Sequence, residues 1–192
     1  MIQDLQADST NLEAYINLRS KKHKMMNSLI ILLTSDKYKE SGNEMYYYAR
    51  QIFNGNLFVR TDGTILQLKN AGNLRLIRKK NVVAALLEYE QKVKELQEWD
   101  ETDTRTRTAF RDIGGTIFRS GPFYKTMDTT MNFVRPTDNP QLLTDKAALL
   151  NNVTFQIQYL ATITLGNYRR ATALKSSSGS LIGLLQKEYY LE

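Results

Sequence analysis

The sequence predicts an all-α fold: four long helices in a bundle, a short helix between helices 2 and 3, and a long packed connection between helices 3 and 4. Three observations carry that expectation. Apolar residues recur at alternating spacings of three and four over long stretches, which keeps them on one helical face. The prolines Pro122, Pro136 and Pro140 fall in one short region, so long helices are free to form on either side of it. Alternation with a period of two is confined to 56–61, which leaves a sheet without support. Amphipathic helices bury their seams most readily against one another, and 192 residues suffice for a single bundle domain over 1–192.

The first helix is predicted over 2–33, with a seam of Ile2, Leu5, Ser9, Leu12, Ile16, Arg19, His23, Met26, Ile30 and Leu33. Ser35 and Asp36 then offer an N-cap and a favourable first-turn charge for the second helix. That helix carries Tyr38, Met45, Tyr48, Ala49, Ile52 and Phe53, and should stop at Asn54-Gly55-Asn56. Within it, Tyr46-Tyr47-Tyr48 sweeps too wide an arc to face one core. The spacing puts Tyr48 inward and leaves Tyr46 and Tyr47 on the flanks, where half-exposed rings suit a ligand or partner.

The segment 61–81, TDGTILQLKNAGNLRLIRKKN, is dense in local signals. Thr64 and Gln67 match a capping box, and Gly72 can take the left-handed conformation that ends a short helix. Leu74, Leu76 and Ile77 are expected to dock as the chain turns. Asn81 caps the third helix, which buries Val82, Leu86, Tyr89, Val93 and Leu96, with Val83, Leu87 and Trp99 alongside. Arg75, Arg78, Lys79 and Lys80 precede that helix, where cations oppose the dipole. Either an anionic partner accounts for them, or they cap the last carbonyls of the short helix.

The run DETDTRTRT at 100–108 has no apolar residue and reads as the exposed top of a continuing helix or as a break. Phe110, Ile113 and Ile117 resume the spacing, so continuation is expected, with Gly114-Gly115 weakening the end. Residues 119–143 form one connection of about 25 residues, a length that is unusual and often functional. Its Phe123, Tyr124, Met127, Met131, Phe133 and Val134 should pack onto the bundle. Thr144 caps the last helix, whose seam runs Leu150, Val153, Ile157, Leu160, Thr164, Asn167, Ala171, Leu174, Ser178, Leu181 and Leu185. SSSGS at 176–180 lowers helix propensity, so a kink or a lost turn is expected there.

Routes to catalysis are few. The chain has no cysteine and one histidine, His23, which excludes thiolate zinc sites and any His-pair metal motif. A di-iron bundle needs Glu-x-x-His on two helices, and none is present. Asp100, Glu101, Asp103 and Asp112 are interleaved with Arg105, Arg107 and Arg111, a pattern that suits i to i+4 ion pairing better than an acid–base pair. Asp112-Ile113-Gly114-Gly115-Thr116 lacks the lysine of a phosphate-binding loop. A Ser-His-Asp triad would have to use His23, and nothing supports that.

The net charge of +6 favours anionic surfaces. The basic residues are scattered, however, and runs such as Lys21, Lys22 and Lys24 read as solvated helix faces. Nucleic-acid binding would want aromatics interleaved with them, so it is not expected. The longest nearly apolar run, 25–33, is too short to span a bilayer.

The pattern from Thr64 through Leu68, Gly72, Leu74, Leu76 and Ile77 to 90 resembles a segment of an uncharacterised bacterial family. Its members carry one N-terminal membrane helix followed by an extracytoplasmic helical-bundle domain. The preceding helix, basic at 21–24 and apolar at 29–33, is similar too. The resemblance implies an anchor preceding residue 1 in the full-length protein, and it supplies no catalytic residues.

The functional expectation is therefore a non-enzymatic domain, extracytoplasmic and membrane-anchored, that binds a protein or small ligand in an envelope or sensory role. The alternative is a soluble cytoplasmic module whose basic surface binds an acidic partner or nucleic acid. Arg75, Arg78, Lys79, Lys80, Tyr46 and Tyr47 are the candidate binding residues. No catalytic residue, metal or cofactor is expected, and a homo-oligomer stays open.

Overall fold

The computed structural model describes residues 1–61, 63–70, 72 and 77–190. Helix α1 spans Ile2–Thr34, α2 Gly42–Phe53, α3 Gly63–Asn70, α4 Lys80–Gly114, α5 Ser120–Tyr124 and α6 Ala147–Tyr189, with a 3-10 turn at Tyr38–Glu40. The fold is all-α. As predicted, four helices dominate, a short one lies between the second and third of these, and a long connection joins α4 to α6. The described residues form two compact units. Unit 1 comprises Met1–Leu18, Asn56–Asp100 and Gly166–Glu192, and unit 2 comprises Arg19–Gly55 and Glu101–Leu165.

In unit 1 the core is built from three helical seams. Leu5, Leu12 and Tyr15 come from α1, the predicted Val82, Leu86, Tyr89, Val93 and Leu96 from α4, and Ala171, Leu174, Leu181 and Leu185 from α6. Each fully buried leucine stabilises the fold by roughly 1.5–3 kcal/mol. Ile65 of α3 and Phe58 complete the cluster, and Ile77 packs against it half-buried. Leu74 and Leu76 lie outside the described residues. Gly72 takes the predicted left-handed conformation, at φ 64°. α6 runs unbroken through 176–180, where a kink or lost turn is expected. There the Ser178 hydroxyl donates to the Leu5 carbonyl (2.9 Å), so burial between Leu174 and Leu181 overrides weak propensity.

The non-helical segment 54–61 must find partners for its backbone donors, and in unit 1 buried carboxylates supply them. Asp100 accepts the Phe58 N–H (2.8 Å) and the Tyr15 hydroxyl; Asp8 accepts the Thr61 N–H (2.6 Å) and the Tyr89 hydroxyl (2.6 Å). Asp4 accepts the Thr64 N–H (2.9 Å), and that bond holds its carboxyl below the usual range. The predicted capping box is thus replaced. α3 begins at Gly63, Gln67 is exposed, and an acid on another helix satisfies the first-turn donor.

Unit 2 buries Met26, Leu29 and Leu33 of α1 against Met45, Tyr46, Ala49 and Ile52 of α2, Phe110 of α4, and Val153, Ile157 and Leu160 of α6. α2 ends at Phe53, as predicted, but starts at Gly42 and not at 35–36. Its first-turn donors are met from the long connection. Asn139 Oδ1 accepts the Gly42 N–H (2.8 Å), while Asn43 Oδ1 accepts the Asn139 N–H (2.8 Å). A side chain at residue 42 would collide with the Pro140 carbonyl, so glycine permits this approach. The tyrosine triplet is also ordered differently from expectation. Tyr46 is wholly buried, and Tyr47 and Tyr48 are half-buried flanks.

α4 continues through 100–108 to Gly114, as expected. Its polar run is exposed on one side only: Glu101, Thr104, Arg105 and Thr108 face solvent, whereas Asp100, Asp103 and Arg107 are buried at the seam spacing. The α1 seam is corrected as well. Leu5, Leu12, Arg19, Met26 and Leu33 are buried as predicted, but Asp8, Tyr15, Lys22 and Leu29 fill the alternate positions in place of Ser9, Ile16, His23 and Ile30. The α6 seam matches the prediction, with only Leu150 less than buried.

The connection between α4 and α6 packs in part. Phe123 and Leu142 join the unit 2 core, whereas Tyr124 and Met131 are largely exposed and Phe133 and Val134 partly so. A polar turn accounts for the difference. The Asp128 carboxylate accepts the Thr130 and Asn132 N–H groups (2.9 Å each) and the Thr130 hydroxyl (2.8 Å), and Met131 sits at φ 66°. Those hydrogen bonds hold the Asp128 carboxyl below its ordinary range.

Candidate functional site

Where α2 and α4 end, unit 2 forms an open groove of about 590 Å³ lined by Phe53, Arg111, Gly114, Gly115, Phe118, Arg119, Ser120, Gly121, Pro122, Phe123 and Leu143. Its floor is aromatic. Phe53 meets Phe110 edge-on (centroids 4.8 Å apart, planes at 81°) and lies against Phe123 at 4.9 Å. Phe118 meets Tyr46 edge-on at 5.1 Å. Such offset and T-shaped pairs add about 0.5–1.5 kcal/mol each beyond simple burial. The Arg50 guanidinium lies over the Phe123 ring, 5.2 Å from its centroid.

Glycine makes the floor possible. A Cβ on Gly114 would lie 2.6 Å from the Phe53 ring, so the ring occupies the space a side chain would fill. Gly121 differs, because a Cβ there would meet nothing within 4 Å. The wall is pinned by the buried Tyr46 hydroxyl, which accepts the Arg119 N–H (2.8 Å) and donates to the Gln141 carbonyl (3.1 Å). Burial pushes the Tyr46 phenol up, keeping it a neutral donor. The Leu143 N–H donates to the Ile117 carbonyl (2.8 Å), which closes the same wall.

Two guanidiniums border the groove. Among the described residues, the Arg111 guanidinium reaches only the Arg107 carbonyl and the Thr108 hydroxyl, each at 3.4 Å, and the Arg119 guanidinium only the Leu142 carbonyl, also at 3.4 Å. Those distances are at the outer limit for hydrogen bonds. Neither arginine forms an ion pair among the described residues. Both residues are exposed, so most of the five N–H donors of each face solvent.

Deeper in unit 2 lies a buried charged cluster. Asp103 receives both Arg107 (Nε 2.7 Å, Nη2 3.1 Å) and Arg19 (2.8 Å). Arg107 also donates to the Ile52 carbonyl, and Lys22 to the Asn54 carbonyl, at the C-terminal end of α2. Helix C-terminal carbonyls lack intrahelical donors and carry partial negative charge, so cations are favoured there. Burial, reinforced by Arg107 and Arg19, pushes the Lys22 amine down to about 7. The expected pairing of Asp103 with Arg107 four residues on is present, but as an interior feature.

Of the six residues nominated from sequence, Tyr46 and Tyr47 belong to unit 2, and Arg78, Lys79 and Lys80 to unit 1. Tyr46 is interior and acts by positioning the groove wall. Tyr47 carries the Arg135 guanidinium over its ring at 4.6 Å, and Arg135 also pairs with Glu44 (3.0 Å). Lys79 pairs with Glu188 (2.9 Å), which also accepts from Asn81 (2.7 Å), so this cation has an acid of its own. Asn81 Oδ1 accepts the Val82 N–H (3.0 Å) inside the first turn of α4. Arg78 and Lys80 are exposed, and Arg75 lies outside the described residues.

The groove residues were missed as a set, although a signal was present. Small residues at 114–115 and 121 bracket Phe118, Phe123 follows two positions later, and an arginine stands on either side of the first pair. Among the described residues no three His, Cys, Asp or Glu side chains converge in a way that could hold a metal ion. No protein-family model, no curated protein and no solved structure matches the chain.

Proposed function

We propose that this chain is a non-enzymatic binding module whose ligand seat is the aromatic groove of unit 2. The observation that carries this reading is the groove itself. Its volume of about 590 Å³ falls within the range of small-molecule sites. Its apolar floor is held rigid by ring packing, and a buried phenol fixes its wall. Its lining contains no carboxylate or imidazole placed to act as a general base, which supports binding over catalysis. The basic cluster before α4 supports a second reading less well, because Lys79 is already paired.

The setting belongs to the proposal too: an extracytoplasmic domain of a membrane-anchored protein with an envelope or sensory role. Its support is the resemblance over 64–90. No helix among the described residues is long and apolar enough to cross a membrane, so this setting needs a membrane segment outside them. Protease added to intact spheroplasts should digest the domain of the native protein, and full protection would remove this setting.

The groove is tested with N-phenyl-1-naphthylamine, a neutral fluorophore that brightens in apolar sites. Saturable binding at one site is expected, and it should be lost in Gly121→Leu, which adds bulk at a lining position where a Cβ meets nothing within 4 Å. Unchanged binding in a folded Gly121→Leu variant would overturn the reading.

A further inference from the structure

We infer that the groove takes an anion with an apolar, preferably aromatic body, and that Arg111 and Arg119 hold its charged head while Phe53, Phe118 and Phe123 hold its body. This rests on the groove being the ligand seat and goes on to specify the ligand. The argument is one of charge and donors. The lining carries two guanidiniums and no acid. Of the other basic side chains over aromatic rings in this unit, Arg135 on Tyr47 has Glu44 at 3.0 Å and Lys39 on Tyr38 has Asp145 at 3.7 Å. Arg50 on Phe123 instead contacts the Met127 sulfur and adds a third cation beside the floor. Deeper in, Arg19 and Arg107 share Asp103. Arg111 and Arg119 have only carbonyl and hydroxyl contacts at 3.4 Å.

A planar guanidinium presents a fork of donors that fits the oxygens of a carboxylate, phosphate or sulfonate. Beside an apolar aromatic floor, such a bond adds to the contacts that the body of the ligand makes with the rings. Nucleic acid fits poorly, since the two arginines flank a single concavity and do not form a basic track that follows a backbone. The inferred ligand is therefore a small amphiphile with one anionic head, of a size that 590 Å³ can enclose in part.

Two probes of similar shape separate charge from shape: 1-anilinonaphthalene-8-sulfonate, an anion, and neutral N-phenyl-1-naphthylamine. The double variant Arg111→Ala/Arg119→Ala should weaken the sulfonate about tenfold or more, the loss expected for charge-assisted hydrogen bonds. It should leave the neutral probe within about twofold, because the apolar floor is untouched. Gly121→Leu should abolish both. The variant Arg111→Lys/Arg119→Lys keeps the charge and should recover part of the sulfonate affinity. If Gly121→Leu blocks both probes but the arginine variant binds the sulfonate like wild type, the charge assignment is overturned and the groove stands. If Gly121→Leu blocks neither, the groove itself fails. Thermal melts of each variant establish that the protein is folded when it is assayed.

Discussion

Asp8 in unit 1 and Asp103 in unit 2 are both wholly buried on helical seams, yet they are satisfied in opposite ways. Asp8 accepts from neutral donors, the Tyr89 hydroxyl and the Thr61 backbone N–H. Asp103 faces the guanidiniums of Arg19 and Arg107. The first carboxylate fastens a non-helical segment to the helices of its unit. The second is the counter-charge for cations drawn to the C-terminal end of α2. A buried aspartate is thus no guide to role by itself; its donors decide whether it is a clasp or a counter-ion.

The largest expected effect breaks the counter-ion. Asp103→Ala leaves two buried guanidiniums without that acid, and breaking a buried pair on one side costs about 3–5 kcal/mol. A urea midpoint shift corresponding to less than about 1 kcal/mol would show that Asp103 is not what holds Arg19 and Arg107. Asp8→Ala is expected to cost less, about 1–3 kcal/mol, because the stranded donors are uncharged. It should also speed hydrogen exchange at the Thr61 amide, while Asp8→Asn, which keeps one acceptor, recovers part of the loss. Equal costs for Asp8→Ala and Asp103→Ala would erase the distinction.

Lys22 sharpens the comparison through pH. In the fold its amine releases a proton near pH 7, whereas the unfolded chain holds that proton up to about pH 10.5. Between those values the unfolded state binds more protons, so stability rises with pH through this window and not below it. The slope should be about 1 kcal/mol per pH unit, measured by melts from pH 7 to 9, and Lys22→Met should flatten it. A wild-type slope of zero would show that Lys22 stays charged inside the protein. The smallest effect is expected for Lys79→Ala. Its pair with Glu188 is solvent-exposed, and removing it should leave the unfolding midpoint within error of wild type.

The groove was poorly legible in the sequence for a definite reason. Phe53, Gly114, Phe123 and Leu143 come from four separate parts of the chain, and no local spacing reports that they meet. The Arg111 pattern points to ion pairing along α4, but Arg107 takes the acid, and Arg111 pairs with none among the described residues. Tyr46 was singled out for the right region and the wrong job. Its ring is core, and its hydroxyl sets the backbone of Arg119.

Local periodicity by itself determined the all-α class, the α6 seam, the apolar part of the α4 seam, the stop after Phe53 and the left-handed Gly72. Each depends on residues within a turn or two of one another. Only the tertiary structure decided that Asp8, Lys22, Asp103 and Arg107 are interior, because burying a charge becomes tolerable only when partners arrive from elsewhere in the chain. The same holds for the start of α2, whose N–H is satisfied by Asn139, 97 residues away. A helical pattern records which face turns inward. What a polar residue on that face will find there is settled by the fold.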